Sequence, residues 1–298
     1  MLNLHRRCKR MDLKKTLIIG AVGMVLGGVM VIGGLSAGAE TNIAWDKGRP
    51  KIVNVSTTHK TFKDAQVQNL EVDAGNNLVE IVRGTEWGVK ATGTSNKVLT
   101  DLQDKTLRID APDDNHHMIF SFGNYDPKVT VTVPFSANLD SLKITTTNGG
   151  MIVQGQNVKN TTVSNSNGGV RFENLQGEQL NITTTNGAIA LEDTNLHAVH
   201  SKSQNSAFKA ENLTLTDASD ITSTNGMIKL EDSHFPGLDA STHNGYVHVE
   251  DVQNGDDDKS YQTGDATKAL KIQTTNGVIS IETRIIHQDK QKTAETAS

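Results

Sequence analysis

The dipeptide Asn-Gly recurs along this chain at an almost constant spacing, and this repeat restricts the possible folds more than any other feature. Seven equivalent asparagines are separated by 19, 19, 19, 20, 19 and 32 residues, and among them the fourth is followed by Ser instead of Gly. They are Asn148, Asn167, Asn186, Asn205, Asn225, Asn244 and Asn276. A fixed period of this length is typical of solenoids, in which each unit buries its apolar side chains by stacking on its neighbours.

Apolar residues stand three and five positions after each of these asparagines. They are Met151, Val170, Ile189, Phe208, Ile228, Val247 and Ile279 at the third position, and Val153, Phe172, Leu191, Ala210, Leu230, Val249 and Ile281 at the fifth. Alternate side chains of a strand face the same side, so each repeat is predicted to be strand, Asn-Gly turn, strand. Independent hairpins also use Asn-Gly turns, but a unit of 19 residues cannot bury its apolar positions alone. The sequence therefore predicts an all-β fold, a single-stranded β-solenoid (β-helix) of 19-residue coils.

The repeat also predicts the extent of the domain. The same pattern fits around Asn76, so the β-solenoid is predicted to cover residues 67–284. Within it, residues 67–141 are predicted to be degenerate opening coils that also cover the first edge, and residues 142–284 regular coils. A 13-residue insertion with three consecutive aspartates, 256–258, precedes the last coil. Outside the solenoid, residues 40–66 are predicted to be a linker and residues 285–298 a polar tail.

The Asn-Gly turn carries its own structural predictions. Asparagine tolerates positive φ and glycine relieves strain beside it, so we expect the asparagine to occupy the bend. Stacked asparagine side chains can hydrogen-bond along the solenoid axis and form a ladder. Because Ser206 replaces the glycine after Asn205, the fourth coil is predicted to be strained.

A column of carboxylates stands six positions after the asparagines: Glu173, Glu192, Glu211, Glu231, Glu250 and Glu282, with Gln154 at its start. Stacked like charges repel, so the column needs an explanation. One hypothesis is cation binding or acid–base chemistry on a glycan, helped by Asp193, Asp232 and Asp251. The other, which we favour, is an outer-face charge lattice with Arg171, Lys209, Lys229 and His248, which alternation places on the same face.

The N-terminal region is predicted to be a membrane anchor. Residues 16–39 contain no charge and are long enough to span a bilayer as one helix. Six basic residues within positions 6–15 precede them, which predicts a cytoplasmic tail over residues 1–15 and an extracellular C-terminal domain. The alternative is a signal peptide cleaved at Ala39, because Ala37-Gly38-Ala39 fits a cleavage site.

Composition argues against several functional classes. The net charge of −5 provides no basic footprint, so no nucleic-acid binding is predicted. Cys8 is the single cysteine and precedes the apolar segment, which excludes disulfides and thiolate metal sites after it. No catalytic motif is present, so we predict no cofactor, no metal and no enzyme activity. The sequence does not predict the oligomeric state.

The Lys-rich start, the Gly-rich anchor and coils such as Thr145–Gly149 and Thr183–Gly187 resemble a known bacterial family. This is the "putative adhesin" family of unknown function, which includes LiaG-like, membrane-anchored β-solenoid proteins. The resemblance implies a location and a fold, and it brings no catalytic residues. The expected function is a membrane-anchored surface protein that presents its solenoid for adhesion or for contact with a cell-wall, glycan or protein ligand. The alternatives are a secreted polysaccharide-active β-helix enzyme and a purely structural spacer.

Overall fold

The computed structural model describes residues 24–25, 27, 29, 33, 41–46, 49–53, 55–63, 65–93, 98–111, 117–122, 127–250 and 259–282. Met24, Val25, Gly27, Val29 and Gly33 have helical backbone geometry. Over these described ranges, no helix combines the length and the apolar character that crossing a membrane requires. The predicted span over residues 16–39 lies largely outside the described residues.

The rest of the described chain is built from strands joined by turns. The first twelve are β1 (Thr41–Asp46), β2 (Arg49–Val53), β3 (Ser56–Phe62), β4 (Asn69–Asp73), β5 (Leu78–Gly84), β6 (Trp87–Gly93), β7 (Leu99–Gln103), β8 (Thr106–Asp110), β9 (His117–Phe122), β10 (Lys128–Pro134), β11 (Leu139–Thr146) and β12 (Met151–Gln154). The others are β13 (Asn157–Asn167), β14 (Val170–Glu173), β15 (Gln176–Asn186), β16 (Ile189–Asn205), β17 (Phe208–Leu215), β18 (Ser219–Asn225), β19 (Ile228–Glu231), β20 (Gly237–Asn244), β21 (Val247–Val249), β22 (Ser260–Gly264), β23 (Ala269–Asn276) and β24 (Ile279–Glu282).

A small unit contains β1, β2 and β9, which form an antiparallel sheet with β1 in the centre. Residues 40–66 were predicted to be a linker, but they contain β1 and β2 of this sheet and β3 of the larger unit. No repeat marker reveals these strands, because their partners are distant in the sequence: β1 pairs with β9, and β3 pairs with β6.

The larger unit is the solenoid, and its parallel strands stack in two ladders. The first ladder contains the strands that precede the ladder asparagines, with β8 added at one end, in the spatial order β8, β4, β11, β13, β15, β16, β18, β23 and β20. The second contains the strands that follow these asparagines, with β10 added at the same end, in the order β10, β5, β12, β14, β16, β17, β19, β24 and β21. The long strand β16 belongs to both ladders. Parallel pairing in register is the arrangement that the repeat predicts.

The core of the solenoid is a set of columns of inward-facing side chains. The apolar residues three and five positions after the asparagines are all buried; Phe172 and Phe208, among the largest, are 0% and 2% exposed. Burial of such a side chain stabilises a fold by about 1.5–3 kcal/mol. Because every coil contributes to the same columns, each coil is stable only against its neighbours.

The order of the coils in space differs from their order in the chain at both ends. The strands of the final coil, β23 and β24, lie between those of the Asn225 and Asn244 coils. At the other end, β8 and β10 stack outside β4 and β5, although they come later in the chain. Antiparallel strands then cover the outer strands: β7 pairs with β8, β6 with β10, and β22 with β20. Covered edges protect a sheet from pairing with other chains.

Candidate functional site

The asparagines of the repeat form one hydrogen-bonded column along the solenoid. Seven of the eight side-chain amides, all except that of Asn76 at the end, donate to the side-chain oxygen of the adjacent asparagine, as Asn167 does to Asn148 at 2.9 Å and Asn186 to Asn167 at 2.7 Å. The spatial order is Asn76, Asn148, Asn167, Asn186, Asn205, Asn225, Asn276 and Asn244. The side-chain amides from Asn148 onwards are therefore used within the column, which makes the column part of the scaffold.

The glycines beside these asparagines have a packing role. A Cβ placed on Gly168 would lie 2.3 Å from the carbonyl oxygen of Gly149, and one on Gly187 would lie 2.1 Å from that of Gly168. The repeat needs glycine because the turns of adjacent coils approach too closely for a side chain. The expected positive φ at the asparagines is wrong: within the described turns the left-handed residues include Gly187 and Gly226 and none of the ladder asparagines.

A left-handed bend lies seven positions after five of the ladder asparagines, those from Asn148 to Asn225, at the corner that follows the second ladder. Gly155, Asn174, Asp193, Asn212 and Asp232 all have positive φ there. Asn, Asp and Gly are the residues that tolerate this conformation. Asn212 also donates to Asp193 over 2.7 Å. Asp193 and Asp232 were considered as helpers in acid–base chemistry. The left-handed backbone at these two positions is sufficient to explain why aspartate occurs there.

Ser206 is the exception in the glycine column. Its side chain is 2% exposed, and its hydroxyl has no hydrogen-bond partner in the described part of the chain. A buried hydroxyl without a partner costs about 1–3 kcal/mol. The fourth coil therefore contains a local source of instability at the residue where the repeat departs from glycine.

The acidic column lies on the outer face of the second ladder, in parallel register from Gln154 through Glu282. Cations four positions after the asparagines lie beside it and bridge adjacent coils. Arg171 contacts Glu173 and Glu192 at 2.5 and 2.8 Å. Lys229 contacts Glu231 and Glu282 at 2.7 and 3.0 Å, and Lys209 contacts Glu231 at 2.6 Å and Glu211 at 3.2 Å. These contacts form a surface charge lattice.

The lattice shifts the pKa values of four of its members in the directions that ion pairing requires. Hydrogen bonds from Lys209 and Lys229 lower the pKa of Glu231. The same bonds to Glu231 raise the pKa values of both lysines, and the bond to Glu192 raises that of Arg171. The lowered pKa favours the charged form of Glu231, which is the opposite of what a general acid needs.

The remaining acidic candidates give no metal site in the described ranges. Glu250 follows β21, and its backbone amide donates to the carbonyl oxygen of Ile281 at 2.8 Å. Asp251 and the three aspartates at 256–258 lie outside the described residues. Among the residues that the structure does describe, no group of three or more His, Cys, Asp or Glu side chains is placed to hold a metal ion.

An open cleft of about 640 Å³ lies where the order of the coils is reversed. Its base is formed by the starts of β18, β20 and β23, and residues 262–266 of β22 and the following turn form one wall. Ala218, Ala266 and Ala269 line it with small side chains. The cleft exists because of the path of the chain. After the Asn244 coil at the end of the solenoid the chain forms β22, and it then returns to form β23 between the Asn244 and Asn225 coils.

A row of polar side chains crosses the base of this cleft in strand register. Its members are His200, Asp220, Lys271, Asp239 and Gln262, each on a neighbouring strand. His200 Nδ1 bonds with Asp220 Oδ1, and Gln262 Nε2 donates to Asp239 Oδ1 over 2.9 Å. Lys271 lies between the two aspartates and forms no ion pair with any described residue.

Sequence reasoning missed this row. Four of its members, all except Gln262, stand five positions before their asparagines, where the earlier coils have Lys143, Thr162 and Asn181. From His200 onwards the residues at this position are mostly charged, and this change in the sequence could have pointed to the row. The placement of Lys271 between Asp220 and Asp239 could not be seen, because it depends on the reversed order of the last two coils.

Two parallel ladders, a continuous asparagine column and antiparallel covering strands define a single-stranded β-solenoid-like protein. The chain belongs to the Toastrack DUF4097 family, whose model matches residues 67–296. The family resemblance expected from the Thr-Thr-Asn-Gly coils is thereby confirmed.

The solved structures that match this chain share little sequence with it. A crystal structure described as a "putative cell adhesion protein" from Clostridium sporogenes is 14% identical, with a TM-score of 0.40, and the match covers 78% of this chain and 100% of that chain. A "putative adhesin" from Bacteroides fragilis is 14% identical, with a TM-score of 0.41 and coverage of 78% and 97%. A "putative lipid binding protein" from Parabacteroides distasonis is also 14% identical, with a TM-score of 0.36 and coverage of 78% and 96%. Comparison with curated protein sequences gave no significant match.

Proposed function

We propose that this chain is a non-catalytic surface protein whose solenoid is displayed outside the cell and contacts a component of the cell envelope or another surface. The observation that carries the proposal is that most carboxylates of the acidic column are paired with neighbouring side chains. Its members from Glu173 to Glu231, together with Glu282, lie on an outer strand face and form ion pairs or side-chain hydrogen bonds with their neighbours. Such a face offers a large regular surface for contact.

The extracellular location rests on the N-terminal sequence. The uncharged segment 16–39 follows a basic stretch, which favours an anchor with the solenoid on the outer side. Cleavage at Ala39 is the alternative, and it also exports the solenoid.

The location can be tested with a C-terminal epitope tag on the full-length chain in a bacterial host. We expect the chain in the membrane fraction, with the epitope open to antibody and protease in intact cells. The mass of the mature chain distinguishes retention of residues 1–39 from cleavage at Ala39. An epitope reached only after cell lysis would contradict the proposal.

The contact function can be tested by capture from an envelope extract with the detergent-solubilised full-length chain as bait. A bait limited to residues 1–66 identifies partners that the N-terminal segment recruits. We expect polysaccharide or protein retained by the full-length bait alone. Equal retention by both baits would favour the structural spacer.

The polysaccharide-active enzyme remains a distinct candidate, and it makes a different prediction. If the full-length chain released reducing ends from an envelope polysaccharide, and if a triple variant with Asp193→Asn, Asp232→Asn and Asp251→Asn lost this activity while remaining folded, the non-catalytic proposal would be overturned. Asp193 and Asp232 occupy left-handed corners that Asn also tolerates, so these two changes preserve the backbone.

A further inference from the structure

We infer that the cleft at the reversed coils is a binding site for a neutral saccharide. This inference rests on the proposed surface function and deepens it, because it assigns a site and a class of ligand. The site comprises the row formed by His200, Asp220, Lys271, Asp239 and Gln262, with Thr263 beside it.

The position of the cleft favours a ligand site. Over most of the solenoid each coil repeats the one before it. Recesses of similar volume, about 590 and 600 Å³, lie beside Lys229 and beside Trp87, but neither is lined by a lysine with an aspartate on each neighbouring strand. Insertions in repeat proteins form loops on one face, which is often the binding face. Here the chain segment around β22 walls a recess of about 640 Å³, in the size range of small-molecule sites. Ala218, Ala266 and Ala269 leave room for a ring above the base.

The polar row alternates between hydrogen-bond acceptors and donors. Asp220 and Asp239 are the register partners of Lys271 on its two neighbouring strands, and adjacent strands are about 4.8 Å apart. Each carboxylate uses Oδ1 for a neighbouring side chain, and a carboxylate has about four acceptor sites in all. An ammonium group has three donors, and Lys271 gives none of them to an ion pair within the described ranges. Hydroxyl groups both donate and accept, so a ligand with neighbouring hydroxyls satisfies this alternation.

Charge argues against other classes of ligand. Two carboxylates beside one ammonium group repel a phosphate or a carboxylate ligand. A metal ion is disfavoured because Lys271 lies between the carboxylates, and no metal-holding group occurs in the described part of the chain. A neutral polyol is repelled neither by the carboxylates nor by the ammonium group.

The direct test is calorimetry on the full-length chain in a detergent without a sugar headgroup. The neutral probes are cellotetraose, maltotetraose and chitotetraose. Tetragalacturonate serves as the anionic probe, and calcium chloride tests for a cation site. Variants Lys271→Met and Asp239→Ala remove one donor and one acceptor from the cleft. The matched control is Lys143→Met, because Lys143 occupies the same column in a coil remote from the cleft.

We expect at least one neutral tetrasaccharide to bind, with affinity at least tenfold weaker in Lys271→Met and Asp239→Ala and unchanged in Lys143→Met. Thermal unfolding of the variants establishes that they are folded. The inference is overturned if no neutral probe binds, if tetragalacturonate binds and depends on Lys271, or if Lys143→Met weakens binding as much as Lys271→Met. If Lys271→Met leaves envelope capture by the full-length bait unchanged, the cleft assignment fails while the surface function stands. If neither assay retains anything, both fail.

Discussion

Asn276 Nδ2 donates a 2.7 Å hydrogen bond to Asn225 Oδ1, although the two residues are 51 positions apart in the chain. Asn244, which lies between them in sequence, instead occupies the end of the column and donates to Asn276 over 2.8 Å. The asparagine column is therefore continuous across the reversed coils. It joins the coil that follows the acidic insertion to the body of the solenoid, and it leaves the Asn244 coil as the terminal one under β22.

Replacing an asparagine in the middle of this column should lower the free energy of unfolding. Asn186→Ala removes the bond to Asn167 and the one received from Asn205, and each is worth about 0.5–1.5 kcal/mol. We expect a loss of about 1–2 kcal/mol in urea unfolding. Asn195→Ala is the control, because that exposed side chain makes no hydrogen bond to a described residue. Equal losses in both variants would show that the column adds nothing.

Two adjacent glycines should respond very differently to alanine. A Cβ on Gly168 would lie 2.3 Å from the Gly149 carbonyl oxygen, whereas one on Gly169 would have its nearest neighbour at 3.9 Å. We expect Gly168→Ala to destabilise the chain by at least about 2 kcal/mol through overpacking. Gly169→Ala should be close to neutral, since Ala188 and Ala207 occupy the same position in later coils. Circular dichroism melts of the two variants measure the difference. A larger loss from Gly169→Ala would contradict this account of the repeat.

Restoring glycine in the fourth coil should stabilise the protein. Ser206→Gly removes a buried hydroxyl that has no partner in the described chain, and it also removes a Cβ from a position that is glycine in the other six coils from Asn148 to Asn276. The gain of about 1–3 kcal/mol is reduced by the backbone entropy of glycine, about 0.5–1 kcal/mol. We expect a net gain of about 1 kcal/mol in urea unfolding. Ser206→Ala, which keeps the Cβ, separates the two contributions; a loss of stability in Ser206→Gly would show that the fourth coil is not strained there.

Reversing the charge of Lys229 should weaken the lattice between coils. Lys229→Glu replaces contacts to Glu231 and Glu282 with repulsion, so the unfolding midpoint should fall. Exposed ion pairs are screened by salt, and the difference from wild type should shrink as the ionic strength rises from about 0.05 to 0.5 M. Lys202→Glu is the control, because Lys202 is exposed and forms no ion pair within the described residues. A difference that does not depend on salt would point to packing instead of charge.

The lattice also predicts a dependence on pH. Hydrogen bonds from Lys209 and Lys229 lower the folded-state pKa of Glu231 below its ordinary value of 4.5. Its contribution is therefore complete above that value and is lost as the pH falls through the lowered folded-state pKa. The pKa values of Lys209 and Lys229 are raised above 10.5, so their contribution is lost only at more alkaline pH. Wild type and Glu231→Gln should differ in stability at pH 7 and converge in acid; a constant difference would contradict the pairing.

Part of the candidate site could be predicted from the sequence because each coil repeats the same local pattern. The spacing of Asn148 and Asn167 predicts that they stack, and the alternation around Phe172 predicts which side chains are buried. The same alternation places Arg171 and Glu173 on one outer face, where the structure brings them to 2.5 Å. The left-handed corner at Asp193 was missed because its carboxylate was considered for its chemistry, whereas the column of Gly, Asn and Asp at that position indicates a backbone requirement.

The sequence by itself determined the class of fold: the 19-residue period, the inward columns and the asparagine ladder. These depend on how one coil packs against any similar coil, and that information is present in every repeat. The tertiary structure decided the order of the coils at the two ends, and with it the cleft in which Lys271 lies between Asp220 and Asp239. The physical reason is that the strand edges of neighbouring coils are interchangeable. The Asn225 coil can form the same backbone hydrogen bonds with either of the last two coils. The repeat pattern alone therefore does not decide whether the Asn276 coil or the Asn244 coil stacks on it.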